Sequence, residues 1–248
     1  MIPFKLDGKR ILITGASSGI GRSCAISAAS LGATLILTGR REDSLKETLS
    51  QCKGMGHQII VGDICSEDFV IDLVKVACKI DGFIHAAGIG PMCPIGMLTT
   101  VDIDSVMRTN YYSFLELMKH YSKTKNRNAK FSVVAISSVS SECGWGGVVA
   151  YCGSKGALSS SVRALAIELA PKGVRVNAVC PSNIRTPMYD NGALDINDED
   201  SMKELLKKQP LGLGEPEQVA WPVCFLLSDA ADFITGVNLP VDGGFLAQ

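Results

Sequence analysis

The stretch RILITGASSGIGRSCAISAASLG, residues 10–32, constrains the fold of this chain more than any other. A short apolar run enters a turn carrying three glycines, and a helical pattern of small residues leaves it. Glycine is favoured wherever a strand meets a helix tightly, so the turn alone is weak evidence. The rest of the chain narrows the choice, because the alternation continues. The runs RILIT, TLILT, QIIVG, DGFIHA, KFSVVAIS, VRVNAV and VNLPV are separated by helical patterns. Most of these runs are continuous rather than alternating, and they are rich in Ile and Val. Strands covered by helices on both faces read in this way. Right-handed crossovers between parallel neighbours then give a Rossmann-type, doubly wound α/β sheet of about seven strands.

The 248 residues fit one such domain, residues 1–248, with no internal repeat, linker or low-complexity tract. One excursion stands out, at 187–209, PMYDNGALDINDEDSMKELLKKQ. It is acidic in its middle and then reads as a short polar helix, the pattern expected of a substrate lid. A formal net charge of −1 provides no broad field to attract nucleic acid or a membrane surface. No segment approaches the ~20 apolar residues that span a bilayer. The first residues lack the pattern of a secretion signal. Nine scattered cysteines, without a C-x-x-C pair or zinc-type spacing, read as reduced thiols, so a cytoplasmic protein without a metal site is expected. Cys143 and Cys152 lie near the suspected site and leave a thiol-regulated enzyme open as a minor alternative.

The glycine turn opens the first strand–helix unit, where a dinucleotide-binding fingerprint belongs. The first turn of the following helix offers free N–H groups and a positive dipole end to a pyrophosphate. The spacing is T-G-x-x-x-G-x-G rather than G-x-G-x-x-G. TGASSGIG, HAAG (85–88), Asn110, Ser138, YCGSK (151–155), RVNAVCPSNIRTPM and ITGVNLPVDGG occur in that order along nearly the whole chain. Together they resemble the short-chain dehydrogenase/reductase family. QPLGLGEPEQVA is similar to a stretch of its 3-oxoacyl-acyl-carrier-protein reductase-like branch, without that branch's arginine. The resemblance implies a nicotinamide-dependent oxidoreductase interconverting a ketone and a secondary alcohol. It implies cofactor contacts at Gly15, Ser17, Ser18, Gly19, Ile20 and Gly21. Further contacts are implied at Asp63 and Ile64, Ala87 and Gly88, and Pro181, Ile184 and Thr186. For Asp63, a turn or cap role is an equal alternative.

A second feature concerns residues 150–169. Leu158, Val162, Leu165 and Leu169 form the stripe of a buried helical face, and the stripe extends back through Lys155 and Tyr151. Tyrosine and lysine four residues apart share one face. A free tyrosine titrates near pH 10, far from neutral chemistry. An ammonium about 5 Å away, at an effective dielectric of about 20, attracts the phenolate by about 3 kcal/mol and would lower that value by about two pH units. The alternative is a snorkelling Lys155 beside a Tyr151 that packs at the core edge. Ser138, thirteen residues before Tyr151, supports the first reading by resemblance. The resemblance implies that Tyr151 exchanges the proton, that Ser138 steadies the substrate oxygen, and that Lys155 tunes Tyr151 and holds the nicotinamide ribose. It also implies that Asn110 anchors a water in a proton relay; its alternative is an asparagine that bends a long helix.

After the second strand, TGRREDSL places Gly39 where an NAD enzyme of this family carries a carboxylate. Arg40 and Arg41 suit a 2′-phosphate, so NADP is expected over NAD, with Glu42 the carboxylate that could still reach a ribose. Two residues depart from the family pattern. His85 replaces an asparagine that ties strands together, so hydrogen bonding there must be remade. Ser182 replaces a glycine and adds a Cβ near the expected nicotinamide. The substrate side leaves a carrier-bound acyl thioester and a small or sugar-derived carbonyl open. A non-catalytic cofactor-sensing relative is the rival class. A homotetramer or homodimer is implied by the resemblance.

Overall fold

β1 (Arg10–Thr14) runs into the glycine turn and α1 (Gly19–Ser30) runs out of it, as the opening stretch predicts. The computed structural model describes residues 4–190 and 199–247. The chain continues through β2 (Thr34–Gly39), α2 (Glu42–Ser50), β3 (Gln58–Val61), α3 (Glu67–Ala77) and β4 (Ile80–His85). It then forms α4 (Thr100–Met107), α5 (Ser113–Tyr121), β5 (Arg127–Ile136), α6 (Val149–Leu169) and β6 (Val174–Pro181). α7 (Pro187–Asp190), α8 (Glu199–Lys208), α9 (Pro216–Leu227) and β7 (Asn238–Val241) complete it. Each of the seven apolar runs falls on a strand.

All seven strands are parallel, in the order β3-β2-β1-β4-β5-β6-β7. β1 pairs with β2 on one side and β4 on the other, so the winding direction reverses there and a crevice opens at the strand ends. Strand periodicity divides the apolar residues between two cores. Ile11, Ile13, Leu35, Leu37 and Ile84 face α1 and α9, where Ala25, Ala28, Val223 and Leu227 meet them. Leu12, Ile36, Phe83, Val133 and Val176 face α3, α5 and α6, against Leu73, Phe114, Leu158 and Val162. Continuous apolar strands are the consequence of having a helical layer on each side.

Some local differences are informative. β5 starts at Arg127, earlier than its apolar run, because polar residues extend the ladder past a register shift between Ile80 and Gly82. On α6, Leu158, Val162 and Leu169 are fully buried while Leu165 is half-buried, so the stripe is narrower than the sequence suggests. The polar helix expected inside 187–209 is α8; residues 191–198 lie outside the described residues. Among the described residues, no helix is long and apolar enough to cross a membrane.

Phe83 sits with its ring 5.7 Å from Tyr121, 6.1 Å from Phe131 and 6.3 Å from Phe114, fully buried. Phe83→Ala is expected to destabilise the protein by ~3–5 kcal/mol, measured by urea unfolding, because the rigid sheet cannot collapse into the cavity.

Candidate active site

The glycines of the first turn let two backbones meet. Gly15 has φ +65°, and a Cβ there would stand 2.7 Å from the Ala86 carbonyl oxygen and the Ala87 nitrogen at the end of β4. A Cβ on Gly21 would collide with the Gly15 carbonyl, so α1 could not pack onto the turn. Gly19 has φ +53° and faces Thr186 across the opening, where a Cβ would press on the threonine methyl at 3.2 Å. Ser18 precedes α1 in extended conformation without capping it, and the first turn holds no acidic residue. The helix end is therefore left positive and able to accept an anion. Arg22 holds the loop in place, binding the Ser17 carbonyl at 2.8 Å and both carboxylate oxygens of Glu47 at 2.8 Å.

These elements border a cleft of about 430 Å³. Gly15, Ser17, Ser18, Gly19, Ile20 and Gly21 line its glycine-turn end, with Arg40, Arg41, Asp63 and Ile64 around them. Ala87, Gly88, Pro181, Ile184 and Thr186 line its middle, and Ser138, Tyr151 and Lys155 line its far end. The structure thus gathers the expected cofactor residues around one cavity. Arg40 and Arg41 are exposed and make no ion pair among the described residues. The Glu42 carboxylate, in contrast, is taken by Lys46 at 2.8 Å along α2. Asp63 acts as a turn residue, accepting from the Cys65 N–H at 2.9 Å, and also borders the cleft.

Lys155 does not snorkel. It is 4% exposed, and its Nζ donates to the Ile136 carbonyl at 2.8 Å. It lies 5.5 Å from the centroid of the Tyr151 ring. Loss of hydration lowers its pKa to about 8. Tyr151 corrects the electrostatic expectation. Burial raises its pKa to about 12, only partly opposed by a hydrogen bond to Ser138. Loss of hydration is the largest influence on the phenol and outweighs the attraction calculated from spacing, while the lysine 5.5 Å from the ring centroid donates to a backbone carbonyl. Tyr151 is accordingly a firmly protonated phenol in the free protein. Ser138, 7% exposed, follows β5; its hydroxyl accepts from the Ser140 N–H at 3.1 Å and donates to the Ser140 hydroxyl at 3.0 Å.

Asn110 lies behind this group, fully buried, in a one-turn π-helix (Arg108–Tyr112) between α4 and α5. Such bulges are frequent at functional sites. Its side chain is engaged on every side: Oδ1 accepts from Ile89 N–H at 2.8 Å, and Nδ2 donates to Ile89 carbonyl and Ser154 hydroxyl, each at 2.9 Å. Asn110 thereby clamps the segment after β4 against α6.

His85 and Ser182 are both absorbed into hydrogen-bond networks. The Thr14 hydroxyl accepts from Ala86 N–H at 3.2 Å and Ala87 N–H at 3.1 Å, leaving its proton for His85 Nδ1 at 3.2 Å. The ring then carries its own proton on Nε2, facing the Asn110 carbonyl and the Ser113 hydroxyl. Burial and the nearby Lys155 charge hold this imidazole neutral, lowering its pKa to about 3. Strand bonding has been rebuilt around a neutral ring. The Ser182 hydroxyl shares its one proton between Gln209 Oε1 at 2.8 Å and the Asp242 carbonyl at 2.9 Å, tying three segments together. Thr14, Gly90, Ser154, Gln209 and Trp145 escaped sequence reasoning. A threonine closing an apolar strand was a usable signal for the first. Gly90, where a Cβ would stand 3.1 Å from the Tyr151 ring, and Gln209, 1% exposed, carried none because their partners are remote in sequence.

A family model described as enoyl-(acyl carrier protein) reductase matches residues 15–246. An L-xylulose reductase of Caenorhabditis elegans is 36% identical, the match covering 98% of this chain and 97% of the relative. A 3-oxoacyl-[acyl-carrier-protein] reductase of Rickettsia felis is 34% identical, covering 97% and 98%. A structure from Beutenbergia cavernae, provisionally described as an NAD(P)-dependent gluconate 5-dehydrogenase with NADP at low occupancy, has a TM-score of 0.89 at 30% identity, covering 99% of this chain and 100% of that one. The chain belongs to the short-chain dehydrogenase/reductase family and is an oxidoreductase.

Lys155 carries a stability cost that follows from its depressed pKa. Below about pH 8 the folded protein keeps a poorly hydrated charge; between pH 8 and the ordinary lysine range the unfolded chain holds a proton that the folded one lacks, so stability rises with pH. Lys155→Met is therefore expected to stabilise the protein by ~1–3 kcal/mol at pH 7, with the gain shrinking as the pH is raised from 8 toward 10, measured by denaturant titrations across pH.

Proposed function

We propose that this protein reduces a small or sugar-derived ketone with NADPH, or runs the reverse reaction with NADP. The observation that carries the reading is the placement of buried Lys155 and Ser138 with half-buried Tyr151 at one end of a cleft whose other end carries Arg40 and Arg41, neither in an ion pair among the described residues. The cleft fits a dinucleotide on structural grounds. Gly19 keeps the opening that faces Thr186 free of a Cβ, and α1 presents an uncapped, positive end for a pyrophosphate. Arg40 and Arg41 provide planar donors for a 2′-phosphate, while Glu42 is already paired with Lys46. Asp63 and Ile64 would bound the adenine, and Thr186 and Ile184 the nicotinamide end.

The bound nicotinamide supplies or accepts the hydride. Tyr151 delivers a proton to the substrate oxygen during reduction, a role suited to a phenol that burial keeps protonated. Ser138 donates a hydrogen bond to the same oxygen as negative charge develops there. Lys155 supplies positive charge behind Tyr151 and a donor for ribose hydroxyls, which replaces part of its lost hydration. Asn110 fixes the floor of the site through Ile89 and Ser154.

Sugar-type carbonyl reduction is favoured over acyl-thioester reduction by the similarity to L-xylulose reductase and by the absence of the branch arginine from QPLGLGEPEQVA. Retention of Tyr151, Lys155 and Ser138 in one cavity favours turnover over a sensing role. The α7–α8 region would act as the lid, and exposed Ile167 and Phe233 offer apolar surface for a homo-oligomer.

Two measurements test the reading. Arg40→Ala is expected to weaken NADPH binding by ~1.5–3 kcal/mol while leaving NADH unchanged, by titration of both coenzymes; equal losses would defeat the NADP assignment. Tyr151→Phe is expected to lower kcat by ~10²–10⁴ with NADPH binding intact, followed by absorbance with a ketone panel.

A further inference from the structure

The charged groups lining the cleft are unevenly distributed. Arg40, Arg41 and Asp63 border the glycine-turn end, and Lys155 lies beneath the tyrosine. Beyond Tyr151, no other charged side chain lines the cleft among the described residues. Met92, Trp145 and Val148 line the cleft there, with the Met92 methyl beside Gly147 and Ser140 as a hydroxyl. A carboxylate or phosphate brought there would lose hydration without meeting a counter-charge, at substantial cost. A neutral molecule carries no such penalty.

Trp145 is the distinctive member of this wall. It stands in the sequence Gly144-Trp145-Gly146-Gly147, so the indole projects from a segment with almost no neighbouring side chains. The segment is pinned on one side, where Cys93 N–H donates to the Gly147 carbonyl at 2.7 Å. The indole meets the Phe245 ring of the C-terminal turn at 6.5 Å between centroids, with the planes at 60°. That edge contact leaves much of the indole uncovered: the residue is 46% exposed while bordering the cleft. A large aromatic surface held beside a proton donor, with hydroxyls nearby, is matched by a molecule having a C–H face and neutral polar groups.

We propose that the substrate is an uncharged polyhydroxy ketone or its alcohol, and that Trp145, buttressed by Phe245, selects it by stacking on its C–H face. The proposal rests on the carbonyl-reductase reading above and goes beyond it by separating neutral sugars from sugar acids and from anionic carrier-bound thioesters. Selection lies in the binding wall, so losing the indole should raise KM more than it lowers kcat.

The test compares L-xylulose with 5-ketogluconate, an anionic keto sugar, in wild type, Trp145→Ala, Trp145→Phe and Phe245→Ala. Wild type is expected to favour the neutral ketose at least tenfold in kcat/KM. Trp145→Ala should raise KM for L-xylulose about tenfold with NADPH affinity unchanged, Trp145→Phe should stay within about threefold of wild type, and Phe245→Ala should fall between them. A preference for the keto acid, or an unchanged KM in Trp145→Ala, overturns the proposal. A second readout does not need turnover. The chain has two tryptophans, so Trp221→Phe leaves Trp145 as the sole indole emitter. With NADP, which cannot reduce a ketose, L-xylulose should change that emission saturably and 5-ketogluconate should not. If no carbonyl oxidises NADPH but this response persists, the turnover reading fails and the neutral-sugar site stands. An equal response to both sugars, or none to the ketose, overturns the site as well.

Discussion

The reversal of winding at β1 is the constraint on which the rest depends. β2 lies on one side of β1 and β4 on the other, and the connections leaving β1 and β4 move apart over opposite parts of the sheet. The resulting gap is an opening that helices cannot fill. Much of the candidate site is attached to its rim: the glycine turn after β1, Arg40 after β2, Asp63 after β3, Gly88 after β4 and Ser138 after β5, with Tyr151 and Lys155 brought in by α6. Gly15 and Gly21 bring the turn against the end of β4 and let α1 settle onto it, while Thr14 bonds Ala86 and Ala87 across the same boundary. The boundary of the cleft is thus held by the Thr14 hydroxyl and by two positions without a Cβ, all three of which also line it.

At the far end of that opening, electrostatics and stability act against each other. Lys155 is dehydrated and has the Ile136 carbonyl as its hydrogen-bond acceptor. Tyr151 is held protonated by the same burial. His85 adds a ring but no charge, because protonating it would set a second cation beside the first in an apolar setting. The free protein thus stores an under-hydrated ammonium beside a reluctant acid. A neutral side chain at position 155 would serve the fold better, and a strained charge of this kind is a common mark of a site maintained for chemistry.

The oxidoreductase class was legible because its signals are local. A glycine turn, a Tyr-x-x-x-Lys spacing and seven apolar runs each span a few residues, and the resemblance joined them into one family. The gathering of the expected cofactor residues around a single cleft also followed from the positions of most of them at strand ends. The acidity of Tyr151 was misjudged for a physical reason. Spacing on a helix shows that two side chains share a face, but it does not give how much water remains around them. His85 and Ser182 looked like departures that might weaken the site, and each became part of a network whose other members, Thr14, Asn110, Gln209 and Asp242, lie as much as 71 residues away.

The sequence by itself determined the layer architecture, since uninterrupted Ile and Val runs between helical patterns can be buried only in a sheet covered on both faces. It also determined which backbone positions must be free of a Cβ, and which residue types meet at the strand ends. Only the tertiary structure decided the protonation state of Tyr151 and Lys155, the tautomer of His85 and, among the described residues, the lack of further charge around Trp145. Hydration and hydrogen-bond direction depend on what closes over a group from distant parts of the chain, and neither is encoded by the residues next to it.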